Sequence, residues 1–201
     1  IFVNEPDLLA INNIIEENVS CYDSANGKLT VFHTGGTTPF TYSWSDPLSQ
    51  STITANNLSP GNYNVIVTDT NGCSDTSFSA LITQPDSLYL SISSSLVSCY
   101  GGADGSASLT AFGGTPNYSY LWSNGSNSSS INNVPSLNYT VTVTDNNGCT
   151  RVGSVNVSQP QPISNIFIRD SVTCVGGNDG FANALTSGGT PPFSYIWSNS
   201  Q

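Results

Sequence analysis

The chain has 201 residues and a net charge of −10, with Lys28, Arg151 and Arg169 its only basic residues against 13 acidic ones. So few cations argue against a nucleic-acid partner, whose phosphates are bound by Lys and Arg, and against an anionic membrane surface. Charged residues are only 8% of the chain, but aromatic and β-branched residues are plentiful and regularly placed, which fits poorly with disorder.

No signal peptide and no apolar run long enough to cross a membrane is visible. The chain begins at Ile1 and contains no Met, so it is read as a piece of a longer processed chain. A skin of Ser, Thr, Asn and Gly suits an extracellular β-protein.

A Cys and a Trp stand 23 residues apart three times, as Cys21 and Trp44, Cys99 and Trp122, and Cys174 and Trp197. The period is 78 and then 75 residues, the size of a small β-domain rather than of a solenoid repeat. Residues 1–4 are read as the last strand of a preceding module. Modules follow at 5–84 and 85–159, with a third, cut short, at 160–201. Each begins after a dipeptide ending in Pro: Glu5-Pro6, Gln84-Pro85 and Gln159-Pro160. Pro stiffens such a junction and holds its predecessor extended. With no Gly/Ser linker between modules, the expectation is a rod of limited flexibility.

Within a module the first strand is apolar-rich, as in Leu88-Tyr89-Leu90-Ser91-Ile92. Asn26-Gly27, Asp104-Gly105 and Asp179-Gly180 then predict two-residue type I′ hairpin turns. The next strand places Leu29, Val31 and His33 on one face. The strand ending at Trp does the same with Phe40, Tyr42 and Trp44, which implies one buried and one wet face. Trp44, Trp122 and Trp197 are expected at the centres of the cores, with Tyr63 and Tyr139. Tyr63 stands just past a Leu-x-x-Gly corner, Leu58 to Gly61, which suggests the tyrosine corner of immunoglobulin-like sandwiches. The expectation is an all-β chain of tandem immunoglobulin-like sandwich modules of about 75 residues, each with six or seven strands.

Each complete module has an early and a late cysteine, which suggests the pairs Cys21–Cys73 and Cys99–Cys149, with the partner of Cys174 outside the sequence. In a meander, such a bridge would staple the first loop to the last at one end of the sandwich. It would add ~4 kcal/mol in the chain-entropy model. The alternative is five free thiols in a reducing compartment.

Module two reads Ser98-Cys99, Gly101, Asp104-Gly105, Gly113-Gly114, Trp122-Ser123-Asn124-Gly125, Asp145 and Asn147-Gly148-Cys149. This run resembles the SprB repeat, and more broadly the PKD-like spacer domains. Module three matches as far as it goes; module one departs at Asp23-Ser24-Ala25-Asn26 and Trp44-Ser45-Asp46. The resemblance implies a long adhesin on the surface of gliding Bacteroidetes. That adhesin would be exported by type IX secretion and moved by the gliding machinery. Its partners would be neighbouring modules and external surfaces or polysaccharides. Two further readings stand beside it: a glycan-binding array using an exposed Trp, and an accessory array on a secreted hydrolase.

Catalytic chemistry is poorly represented. His33 is the single His, and its counterparts are Ala111 and Thr186. The cysteines lack metal-site spacing. The Gly-Gly pairs precede no Lys and read as turns, not phosphate loops. The chain is read as non-enzymatic, without a required cofactor. Asp23, Asp69, Asp104 and Asp145 are weak calcium candidates, since Asx-turns account for acidic residues in such loops. Ser24, Ser87 and Ser171 lie in Asp-Ser-apolar triplets that resemble the O-glycan acceptor pattern of the same phylum.

Overall fold

The computed structural model describes residues 5–198; the strand expected at residues 1–4 lies outside them. Every element in it is a β-strand. By contacts the chain divides into two compact units. Unit 1 takes residues 1–89, 112–118 and 144–150; unit 2 takes 90–111, 119–143 and 151–201.

In unit 1 the strands are β1 (Ala10–Glu17), β2 (Gly27–Thr34), β3 (Thr41–Trp44), β4 (Thr54–Leu58), β5 (Gly61–Tyr63), β6 (Val65–Thr68), β7 (Ser74–Thr76) and β8 (Ala80–Ile82). One sheet has the order β1-β2-β4 and another β3-β6-β7, with β5-β8 as a separate two-stranded pair. All pairs are antiparallel, with Leu29 opposite Ala55 and Trp44 opposite Val65. The period-two alternation then does its physical work. Leu29, Val31, Ala55 and Leu58 from one sheet meet Trp44, Tyr63, Val65, Val67, Ala80 and Ile82 in a single buried cluster. The tyrosine corner is formed: Tyr63 donates its hydroxyl proton to the carbonyl of Ser59 at 2.8 Å.

Unit 2 holds most of β9 (Tyr89–Ser95), β10 (Gly105–Phe112), β11 (Ser119–Trp122), β12 (Ser130–Val134), β13 (Asn138–Thr144) and β14 (Thr150–Asn156), followed by β15 (Ser164–Asp170) and β16 (Phe181–Ser187). The sheets are β12-β10-β9 and β11-β13-β14, with β15-β16 as a separate hairpin. The second repeat is thus six-stranded. Ala107, Leu109, Trp122, Ile131, Tyr139, Val141 and Val143 are buried. Tyr139 repeats the corner through the carbonyl of Pro135 at 3.0 Å, and burial pushes its phenol pKa up.

The Asx-Gly dipeptides are not type I′ hairpin turns. None of Gly27, Gly105 and Gly180 has a positive φ. The Asx side chain closes a longer loop instead, as Asn26 Oδ1 accepts from the Ser20 N–H and Asp104 Oδ1 from the Ser98 N–H. The glycine is required by close approach. A Cβ on Gly27 would stand 2.8 Å from Ile82 and 2.9 Å from the Leu58 carbonyl. The Gly-Gly pairs do need left-handed backbone. Gly35, Gly113 and Gly188 have φ of 70°, 71° and 72°, and a Cβ there would strike the carbonyl of Leu8, Ser87 or Pro162.

Trp44 is 3% exposed and donates its indole N–H to Thr52 O at 2.8 Å. Truncating it leaves a large cavity and an unpaired carbonyl, so Trp44→Ala is expected to cost about 3–5 kcal/mol, read as a lower denaturation midpoint in urea.

Candidate functional site

The cysteines define the site, and their placement follows from strand direction. The Cys21 loop lies where β2 begins: the Val19 N–H donates to Thr83 O at 3.2 Å and the Asp23 N–H to Gln84 Oε1 at 2.8 Å. The Cys73 loop lies where β2 ends, since the Thr37 N–H donates to Asp69 Oδ2 at 3.0 Å and the Thr70 N–H to Thr37 O at 3.1 Å. An eight-residue strand separates the two loops by roughly 24 Å, far beyond the reach of a disulfide.

The expected Cys21–Cys73 and Cys99–Cys149 pairs are therefore corrected. Cys21 is bonded to Cys149, with a Cα–Cα distance of 5.7 Å, while Cys73, Cys99 and Cys174 are free and exposed. One strand does separate the Trp strand from the Tyr strand, but the meander behind the predicted staple is absent. β4 is antiparallel to β2 and β3 is antiparallel to β6. With the loops placed as above, β3 and β4 run in the same sense. Residues 45–53 carry the chain back between them, and the last loop falls at the opposite end from the first.

The bonded site lies wholly in unit 1 and joins one sequence repeat to the next. Gln84, Pro85 and Asp86 lead directly from β8 to the second repeat. Asp86 O accepts from the Gly114 N–H at 2.8 Å. Asn147 spans the joint, its Nδ2 donating at 2.9 Å to Ser20 O and at 2.9 Å to Thr115 Oγ1. Buried Asp145 organises the loop beneath it, accepting from the N–H groups of Thr115, Asn147 and Cys149 at 2.8, 2.9 and 2.8 Å. Asp69 builds the same cradle from Thr37, Asn71 and Cys73.

The same loops hold the acidic calcium candidates. Burial pushes the Asp69 carboxyl pKa up, but the N–H groups of Thr37, Cys73, Asn71 and Gly72 outweigh it and hold it below the ordinary 3.8. The Ser98 hydroxyl, then its N–H, holds Asp104 below the ordinary value. Asp23 has a φ of 60° in the Cys21 loop. Among the described residues no group of three or more His, Cys, Asp and Glu side chains is placed to hold a metal ion.

The remaining candidates are dispersed. Trp122, like Trp44, is buried and bonded through its indole N–H, here to Ser128 O at 2.8 Å, so neither offers a sugar-stacking face. Trp197 is half-buried and stands 6.4 Å from Phe167, centroid to centroid. His33 is half-buried between Phe40 and Tyr42, with Nε2 3.0 Å from the Tyr42 hydroxyl. Ser87 and Ser171 are exposed and Ser24 is half-buried.

The fold and the joint define a class, tandem immunoglobulin-like β-sandwiches coupled repeat to repeat. More particularly, the chain belongs to the SprB repeat family, which matches at residues 14–49, 92–127 and 169–201, just over half of its length. Among the curated proteins none matches. Among solved structures, the chain is similar to the N-terminal eight Ig domains of Down Syndrome Cell Adhesion Molecule, at 13% identity and a TM-score of 0.39, over 76% of this chain and 25% of that one. It is similar to a Dscam chain solved to explain isoform specificity, at 12% identity and a TM-score of 0.32, over 77% and 46%. It is also similar to an amphioxus IgVJ-C2 molecule, at 12% identity and a TM-score of 0.29, over 77% and 98%. The chain spans less than half the length of the two Dscam chains. The fold assignment rests on the sheets and their shared core. No helix among the described residues is long and apolar enough to cross a membrane.

Two measurements follow. Alkylation without reduction should label three cysteines, Cys73, Cys99 and Cys174, and Cys149→Ser should raise the number to four by releasing Cys21; intact mass counts them. The depressed Asp69 pKa contributes stability above the unfolded carboxylate range, and that contribution is lost as pH falls through the folded value. Asp69→Asn should therefore give a thermal midpoint that is lower at neutral pH and falls less steeply below about pH 5, followed by circular dichroism.

Proposed function

We propose that this chain is a structural and adhesive segment of a long cell-surface filament, presented outside the cell and moved along it as part of gliding. Membership of the SprB repeat family, which is associated with cell-surface proteins, supports the location and the adhesin-like character. The observation that carries the reading is the joint. Successive repeats are coupled without a linker, through backbone hydrogen bonds, the Asn147 clamp and a covalent bond. A segment so coupled transmits tension from one repeat to the next.

Its work on this reading is mechanical rather than catalytic. The partners are the neighbouring repeats and, through exposed Tyr, Ser, Thr and Asn side chains, external surfaces or polysaccharides bound weakly at many points. No cofactor is called for. O-glycans on exposed Ser87 and Ser171 would shield the surface further.

Antibody fragments raised against residues 5–84 should label intact, unpermeabilised cells. On live cells the fluorescent label should travel along the surface. A label that stays still would remove gliding and leave adhesion; labelling only after permeabilisation would remove the surface role itself.

A further inference from the structure

The joint that holds Cys21 against Cys149 is built a second time, around a cysteine that is free. In unit 2 the Val97 N–H donates to Ser158 O at 2.9 Å, as Val19 does to Thr83. The Gly101 N–H donates to Gln159 Oε1 at 2.8 Å, as Asp23 does to Gln84. The Gly189 N–H donates to Gln161 O at 2.7 Å, as Gly114 does to Asp86. Ser98 O, the counterpart of Ser20 O, accepts from Thr190 Oγ1 at 3.2 Å. Thr190 is itself the counterpart of Thr115, which Asn147 ties to Ser20. Cys99 is exposed and opens on a groove of about 370 Å³ lined by Tyr100, Gln161, Pro162, Ile163 and Thr190.

We infer that the early cysteine of each repeat is the bonding site for the late cysteine of the repeat that follows it. Cys99 takes the Asn-Gly-Cys loop of the next repeat, as Cys21 takes the loop ending at Cys149. Cys73 presents the other half of the site. Its loop has the same carboxylate cradle as the Cys149 loop, Asp69 holding the N–H groups of Asn71 and Cys73 as Asp145 holds those of Asn147 and Cys149. The result is a series of disulfides crossing successive joints, with none inside a repeat.

Each bond forms by thiol–disulfide exchange with a low-molecular-weight disulfide such as oxidised glutathione. One cysteine thiolate attacks a glutathione sulfur and releases one glutathione thiolate. The second cysteine thiolate then attacks the mixed disulfide and releases the other. Two cysteine thiols are oxidised, the two glutathione sulfurs are reduced, and the two protons pass to the released thiolates. The inference rests on the joint and not on the surface role proposed above.

The test extends the chain by a copy of residues 127–159 placed after Gln201, which supplies the third repeat with the second half of a sandwich and a late cysteine. After refolding with oxidised and reduced glutathione, alkylation without reduction should label two cysteines, Cys73 and Cys174, although the chain has gained one. Peptide mapping should join Cys99 to the added cysteine. Burial of Trp197, seen as a blue shift in its emission, shows that the added half has folded. With Trp197 buried, a Cys99 that is still alkylated overturns the inference. A second protein, three copies of residues 85–159 in series, tests it without the third repeat. Bridges from each Cys99 to the following Cys149, with two thiols left at the ends of the array, support it. Three bridges within repeats and no free thiol, or six free thiols, overturn it.

Discussion

Residues 45–53 carry the chain back along the sandwich between two strands that run the same way, and the position of every cysteine follows from that step. Had β3 and β4 alternated in direction, the Cys21 and Cys73 loops would share an end and each repeat could staple itself. Because they do not, Asp7 and the Cys73 loop lie at one end of the first repeat, and Cys21 and Gln84 at the other. With only Gln84-Pro85-Asp86 between repeats, the late loop of the second repeat meets the early loop of the first. The closed loop spans 128 residues, for which the chain-entropy model gives ~5 kcal/mol. Unlike a staple within one sandwich, this bond also fixes the joint.

The polar chemistry of the joint is economical. The Asp145 carboxylate gathers three backbone N–H groups that the Thr115 and Asn147 turns would otherwise leave without protein acceptors. A neutral Asn could offer only one acceptor oxygen. The convergent N–H groups take the place of water around the carboxylate oxygens. This use explains why acidic residues recur in the loops of a chain that has three basic residues. Lys28 and Glu17 form the ion pair recorded among the described residues, both partners well exposed, and such a pair is worth little. Cohesion comes from the apolar clusters and from hydrogen bonds aimed at carboxylates and carbonyls.

What could be read from the sequence was local. Alternation put Leu29, Val31, Tyr42 and Trp44 on inward faces because period two is a property of the strand itself. The tyrosine corner was legible because donor and acceptor are four residues apart. The Asx-Gly pairs misled because glycine serves two purposes. The sequence shows that a side chain is missing, but whether φ or close packing demands it depends on Ile82 and Leu58, far along the chain. The cysteine partners were illegible for a stronger reason. Equal spacing within repeats is equally consistent with pairing inside a repeat or across a joint, and only the directions of β3 and β4 separate the two.

The described part of the third repeat contributes the β15-β16 hairpin. β15 and β16 pair in full register from Ser164 opposite Ser187 to Asp170 opposite Phe181. Yet Ile166, Phe167 and Phe181 are exposed, and Ala182 is exposed where its counterpart Ala107 is buried. Trp197 closes the same Gly-Gly-Thr-Pro run as Trp122, and it is only half-buried where Trp122 is 2% exposed. In the second repeat β13, which carries Tyr139, Val141 and Val143, lies beside the Trp122 strand in one sheet. There Trp122, Tyr139, Val141 and Val143 are buried together with Ala107 and Leu109, so the late strand completes the core that the early strands begin.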